Sequence, residues 1–194
     1  MKPDSYRLAD LERRLHNLLR VGTVSDVDAV SARCRVAAGG IITTWLPWLT
    51  QRAGADRTWW APEPGEQVML LSPSGDSAQA IVLPAIYQSA HPAPGERVTH
   101  HVTEYADGTR VEYDRDAGHL TVDCVGDVTL RGAQALHVEF GGSITFDASD
   151  VTINAPLRVN DSVTSSGDMI ADGVSQIDHL HDGDSGGKTS PPKR

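Results

Sequence analysis

The feature that most restricts how this chain can fold is a run of short apolar alternations between Leu120 and Val159. Leu120/Val122, Val128/Leu130, Leu136/Val138/Phe140, Ile144/Phe146, Val151/Ile153 and Leu157/Val159 each set apolar residues two apart, with Thr, Asp, Glu, Arg or Asn around them. Side chains two apart share one face of a strand, so each group reads as a strand with an apolar and a polar face. The groups restart every six to eight residues, punctuated by Gly126, Asp127, Gly132, Gly141-Gly142, Asp147 and Asp150. A weak internal repeat results: Asp-Val-Thr-Leu at 127–130, Ser-Ile-Thr-Phe at 143–146 and Asp-Val-Thr-Ile at 150–153. Strands this short, with open edges, are poorly stable as an isolated sheet and need a partner surface. A solenoid or sandwich within one chain would supply it. So would the intertwining of identical chains, with apolar faces meeting on an axis and edges pairing between copies. Periodicity alone leaves both open.

Charge divides the 194 residues at about the same place. Residues 1–90 carry nine Lys/Arg and nine Asp/Glu, whereas residues 91–194 carry eight and seventeen, so the net charge of −9 belongs to the second part. An acidic surface repels phosphate backbones and lacks the basic footprint of non-specific nucleic-acid binding, so no nucleic-acid partner is expected there. The two cysteines, Cys34 and Cys124, fall in different halves, which suits neither a disulfide framework nor a thiolate zinc site. No signal-peptide core or apolar run of transmembrane length is present, and a soluble product made in the cytoplasm is expected.

From Ser5 to Arg20 the residues Leu8, Leu11, Leu15, Leu18 and Leu19 recur at helical spacing. The pattern predicts an amphipathic helix capped by Asp4 or Ser5 and stopped near Gly22, with its leucine stripe packed on its own domain. Next come short apolar runs at Gly22-Thr23-Val24, Ala32–Val36, Val68–Leu71 and Ala80–Leu83, separated by Ala38-Gly39-Gly40, Ala61–Gly65 and Ser72–Asp76. Five or so short strands in this span fit a small barrel such as the OB-fold. All four tryptophans, Trp45, Trp48, Trp59 and Trp60, lie between its second and third strand signals. They suit core or subunit interface better than a ligand-stacking platform.

These same residues carry a resemblance. Arg20-Val-Gly-Thr-Val-Ser-Asp-Val-Asp, Cys34-Arg35-Val36, Trp45-Leu-Pro-Trp-Leu-Thr, Arg52-Ala-Gly, Trp59-Trp60-Ala-Pro, Gly65-Glu-Gln-Val and Leu71-Ser-Pro-Ser-Gly occur in an order and spacing that resembles the baseplate assembly protein V family. These are the central-spike proteins of contractile-tailed phages and phage-tail-like bacteriocins. The resemblance implies a mainly β homotrimer with an OB-fold collar followed by an intertwined, triple-stranded β-helix. On that basis the domain expectations are an N-terminal helix at 1–20, the collar at 21–90, a linker at 91–104, the β-helical spike at 105–177 and an apex at 178–194.

The apex holds the most specific chemistry, Asp178-His179-Leu180-His181-Asp182. Extended backbone puts His179 and His181 on one face with Leu180 opposite. Two nitrogens are too few for a protein metal site, so the pair is either a ligand set completed by other chains or two exposed histidines in a tail. The family's spikes end in a matching His-x-His pair. The resemblance therefore implies six imidazoles from three chains around one axial ion, iron(II) in preference to nickel or zinc. A full shell leaves no open position, so the ion's role would be structural. Asp178 or Asp182 is expected to accept the second ring proton. His100-His101, adjacent and so on opposite faces of a strand, make a poor metal pair and are expected to be solvated or interfacial.

No nucleophile motif, phosphate-binding glycine loop or zinc-hydrolase pair is present, so no enzyme is expected. Some related spikes carry an inserted lysozyme domain; the short stretch between Tyr87 and Tyr105 has no room for one. The implied function is that of a spike in the virion's tail baseplate or a tail-like particle, contacting hub and tube proteins and driven through a bacterial outer membrane by sheath contraction. The alternative is an OB-fold binding module for polysaccharide or single-stranded nucleic acid, with an acidic β-solenoid as spacer.

Overall fold

The computed structural model describes residues 4–183 and 186–190. The chain forms two units, residues 1–131 and 132–194. The architecture is mainly β with one N-terminal α-helix. Among the described residues no helix is long and apolar enough to cross a membrane.

The first unit begins with α1 (Asp4–Leu18) and continues through β1 (Leu19–Asp28), β2 (Arg33–Ala38), β3 (Ile41–Ile42), β4 (Leu46–Pro47), β5 (Gln67–Leu71) and β6 (Ile81–Ile86). β1 lies between β2 and β5, β6 follows β5, and β4 pairs with β2. The sheet closes where Trp48 meets Val82 in parallel and the Leu49 amide donates to the Val82 carbonyl at 2.8 Å. Closure removes the open edges of a short-stranded sheet and encloses one core. Alternation along each strand points Val24, Cys34, Val36, Leu46, Val68, Leu70 and Val82 inward. Each such side chain contributes about 1.5–3 kcal/mol of burial free energy. Burial, with Glu66 adding to it, pushes the Cys34 thiol up to about 11, so it packs as a small apolar group.

Two expectations about the N-terminal segment are corrected. The helix ends at Leu18, whose carbonyl accepts the Ser72 amide at 2.8 Å, and β1 pairs with β5 from Leu19 onward. Gly22 lies inside β1, where a Cβ would stand 2.5 Å from Val36 Cγ1; its smallness admits β2 and does not end the helix. The leucine stripe does not pack on its own domain. Leu8, Leu11 and Leu15 are 59%, 63% and 68% exposed, while the half-buried side of α1 carries Asp10, Asn17 and Leu18. The helix backbone sits so close to the 72–75 turn that a Cβ on Gly75 would lie 2.5 Å from the Arg14 carbonyl oxygen.

Still within the first unit, β7 (His100–Glu104), β8 (Arg110–Asp114) and β9 (His119–Asp123) form an antiparallel meander. Strand structure thus starts inside the stretch read as a linker. Asp107-Gly108 makes the first turn, with Gly108 at a φ of 92° and the Thr109 amide donating to Asp107 Oδ1 at 2.9 Å. Beyond β9, residues 124–169 form no paired strand within the chain. Their apolar alternation remains on the surface: Val128, Leu136, Phe140, Phe146, Ile153 and Leu157 are all more than half exposed. Among its described residues the second unit contains two small hairpins, the first made by β10 (Ile170–Ala171) and β11 (Val174–Ser175).

Candidate metal site in the C-terminal hairpins

The β10–β11 turn is Asp172-Gly173, with φ of 51° and 76°. A two-residue hairpin turn needs positive φ at both positions, which Asp and Gly adopt at least cost. Asp168 then fastens the returning strand, its Oδ1 accepting from the amides of Gln176 at 3.1 Å and Ile177 at 3.2 Å. The Ser175 hydroxyl accepts from the amides of Ile177 at 3.1 Å and Asp178 at 2.8 Å. Hydrogen bonding from Ser175, with the backbone amides adding to it, holds the Asp168 carboxyl below its ordinary range.

This scaffold sets His179. Its Nδ1 lies 2.9 Å from the Ser175 carbonyl oxygen. A carbonyl can only accept, so Nδ1 is the donor in this contact and Nε2 is the ring nitrogen left for another partner. The expected outer partner was a neighbouring aspartate; the structure supplies a main-chain carbonyl instead. Asp182 is turned toward Lys188, whose Nζ is 3.8 Å from its Oδ1. That pair belongs to the second hairpin, in which His181 and Thr189 exchange hydrogen bonds. The His181 amide donates to Thr189 Oγ1 at 3.0 Å, and the Thr189 amide donates to the His181 carbonyl at 2.9 Å. Residues 187–189 therefore run back alongside 181–183.

The two rings lie edge to face, centroids 5.0 Å apart at 86°. One chain thus presents two adjacent imidazoles, each carried on its own hairpin. Among the described residues no group of three or more His, Cys, Asp or Glu side chains is placed to hold an ion. Two imidazoles by themselves fall short of the roughly four donors of a protein metal site. Ser175, Asp168 and Thr189 were missed as supporting residues; the Asp172-Gly173 dipeptide was the available signal for the first hairpin.

The other candidates separate clearly. His100 and His101 point to opposite sides of β7, as adjacency requires: His100 is enclosed between Glu112 at 2.6 Å and Asp114 at 3.3 Å, and His101 is exposed. Trp48 packs against the barrel core and meets Trp59 edge-on at 5.5 Å. Trp60 stacks on Tyr105 at 5.9 Å, and Trp45 lies under the Arg35 guanidinium at 5.7 Å. Trp59 and Trp60 are 61% and 66% exposed beside an open groove of about 1230 Å³ also lined by Tyr87, His91 and His101.

The closed barrel and its flanking aromatics place the chain in a defined class. Residues 20–87, which span the barrel strands almost end to end, match the family described as the type VI secretion system/phage-baseplate injector OB domain. Similarity continues beyond the barrel: the chain is 35% identical to the spike protein of Escherichia phage P2, with 95% of this chain and 97% of that protein covered. The chain belongs to the phage baseplate V family of central-spike proteins.

Proposed function

We propose that this chain is the non-enzymatic central spike of a contractile phage tail or tail-like particle. It acts as a homotrimer, with the barrels forming a collar on baseplate hub and tube proteins. Residues from the β7–β9 meander onward intertwine as a triple-stranded β-helix, which sheath contraction drives through the target bacterium's outer membrane. The observation that carries this reading is the end-to-end similarity to the P2 spike protein, which includes the repeat region as well as the barrel. The apolar rows from Val128 to Leu157 support it, since they are exposed in one chain and have the alternation that an intertwined trimer buries.

In this reading His179 and His181 of three chains hold one axial ion, iron(II) in preference to nickel or zinc. The ion supplies a cross-link and no reaction. The Ser175 carbonyl orients the His179 ring and leaves its Nε2 as the ligand nitrogen, and the His181–Thr189 hairpin carries the second ring beside it. Together they tie chain ends where little apolar core is available.

Light scattering combined with elemental analysis of the purified protein tests the proposal. It predicts three times the chain mass of 20.8 kDa and one tightly bound metal ion per three chains. A monomer at micromolar concentration rules the proposal out. The exposed Trp59 and Trp60 favour one other reading, a glycan- or strand-binding barrel. Titrating tryptophan fluorescence with oligosaccharides and oligonucleotides separates the two, because a spike gives no saturable response.

A further inference from the structure

The N-terminal helix is mounted with its amphipathic sense reversed. Its half-buried side carries Asp10, Asn17 and Leu18, and its backbone at Arg14 rests on Gly75. Leu8, Leu11 and Leu15 form a continuous outward row, extended by Leu19 and Val21 at the start of β1, both more than half exposed. A helix that turns its apolar stripe away from its own core has that stripe available for another molecule.

The charges beside the stripe specify which molecule. With Leu8, Leu11 and Leu15 taken as core positions, Arg7 lies on one flank and Glu12 on the other, five residues apart. In parallel helices packed on such a stripe, a residue on the leading flank of one faces the residue five positions later on the next. Arg7 of one copy would therefore face Glu12 of its neighbour. An antiparallel arrangement opposes Glu12 to Glu12 and Arg7 to Arg14, which repel. Among the described residues Glu12 has no ion-pair partner, whereas Arg13 and Arg14 are both engaged by Asp10 at 2.8 Å. Among the described residues Arg7 has one ion pair, a 3.9 Å contact to Asp4 with both side chains exposed.

We propose that α1 is a second trimerisation element, in which three copies pack in parallel through Leu8, Leu11 and Leu15 and lock register through Arg7–Glu12 pairs between neighbours. The proposal rests on the homotrimer reading above. A helix of this length is marginal alone in water, so its association depends on chains already tethered by the rest of the trimer. It would then hold the trimer at the end of the sequence opposite the histidine apex.

The test uses the full-length chain with Cys124→Ser and the double substitution Arg7→Cys, Glu12→Cys, oxidised mildly. Positions 7 and 12 flank opposite sides of one helix and cannot bridge within a chain, so the expected product is a covalent trimer on a non-reducing gel. Hydrogen exchange gives a second measurement. The amides of 4–18 should be protected in the unmodified protein, lose most of that protection in Glu12→Arg, and regain it in Arg7→Glu/Glu12→Arg. A protein of trimeric mass that gives no cross-link and no charge-swap rescue overturns the proposal, assigns the stripe to a baseplate partner, and leaves the trimeric spike standing. A monomeric mass overturns both.

Discussion

His179 Nδ1 lies 2.9 Å from the carbonyl oxygen of Ser175, four residues earlier in the chain. That contact fixes the ring's tautomer, and with it the nitrogen that can take a metal. Because the acceptor is main chain, side-chain substitution cannot remove it directly; only the geometry of the hairpin can. The first hairpin is thus part of the site.

His179→Ala and His181→Ala should each abolish stoichiometric metal, since in the proposed trimer each removes three of six nitrogens at once. Elemental analysis of gel-filtered protein checks this. Retention of one ion per three chains in either variant would show that the ion lies elsewhere.

Ser175→Ala keeps the carbonyl but removes the hydroxyl that accepts the Ile177 and Asp178 amides. Loosening that turn should weaken metal retention by about 10-fold or more against a competing chelator, a typical effect of disturbing an outer-shell support. Unchanged chelator kinetics would place the hydroxyl outside the site's support.

Gly75 has a φ of 71°, and a Cβ there would stand 2.5 Å from the Arg14 carbonyl oxygen. Gly75→Ala should cost about 1–3 kcal/mol, from left-handed strain and from pushing α1 off the barrel. For comparison, Leu46→Ala, in the barrel core at 1% exposure, should cost about 2–5 kcal/mol. Denaturant midpoints of the two variants give the ranking.

Acid should loosen the β7–β9 sheet. Arg110, within 2.7 Å, holds the Glu112 carboxyl below its ordinary value of 4.5. A carboxylate whose folded value is depressed contributes stability that is present above the unfolded value and lost as pH falls through the folded one. The wild-type denaturant midpoint should therefore fall as the pH drops below about 4.5. Glu112→Gln should flatten that part of the profile and leave the rest unchanged.

Much of this was legible in the chain. Alternation in Gly22–Val24, Cys34–Val36, Val68–Leu70 and Ala80–Leu83 was enough to locate the main barrel strands, because one buried face forces period two. The helix was legible for the same reason at period 3.6. Its orientation was not: Leu8, Leu11 and Leu15 mark an apolar face, but only the Leu18–Ser72 hydrogen bond and the close seat of Arg14 on Gly75 decide that this face looks outward. Gly22 was misread because a glycine admitting a neighbouring strand and a glycine ending a helix are the same letter. At the apex, His179 and His181 were evident as a pair. Ser175 and Thr189 were not, since hairpin partners four and eight residues away are set by turn geometry.

The sequence by itself determined the class of structure: hydrophobic periodicity is local, and it specified a helix, a short-stranded barrel and an acidic repeat with one apolar face. Tertiary structure decided what those faces meet. Barrel closure at Trp48 and Val82 turned open strands into an enclosed core. Two turns brought the imidazoles of His179 and His181 within 5.0 Å of each other. The physical reason is that burial and hydrogen bonding are satisfied between residues distant along the chain. A period can show that a face needs covering, but only the fold shows which faces the chain covers itself and which it leaves for another.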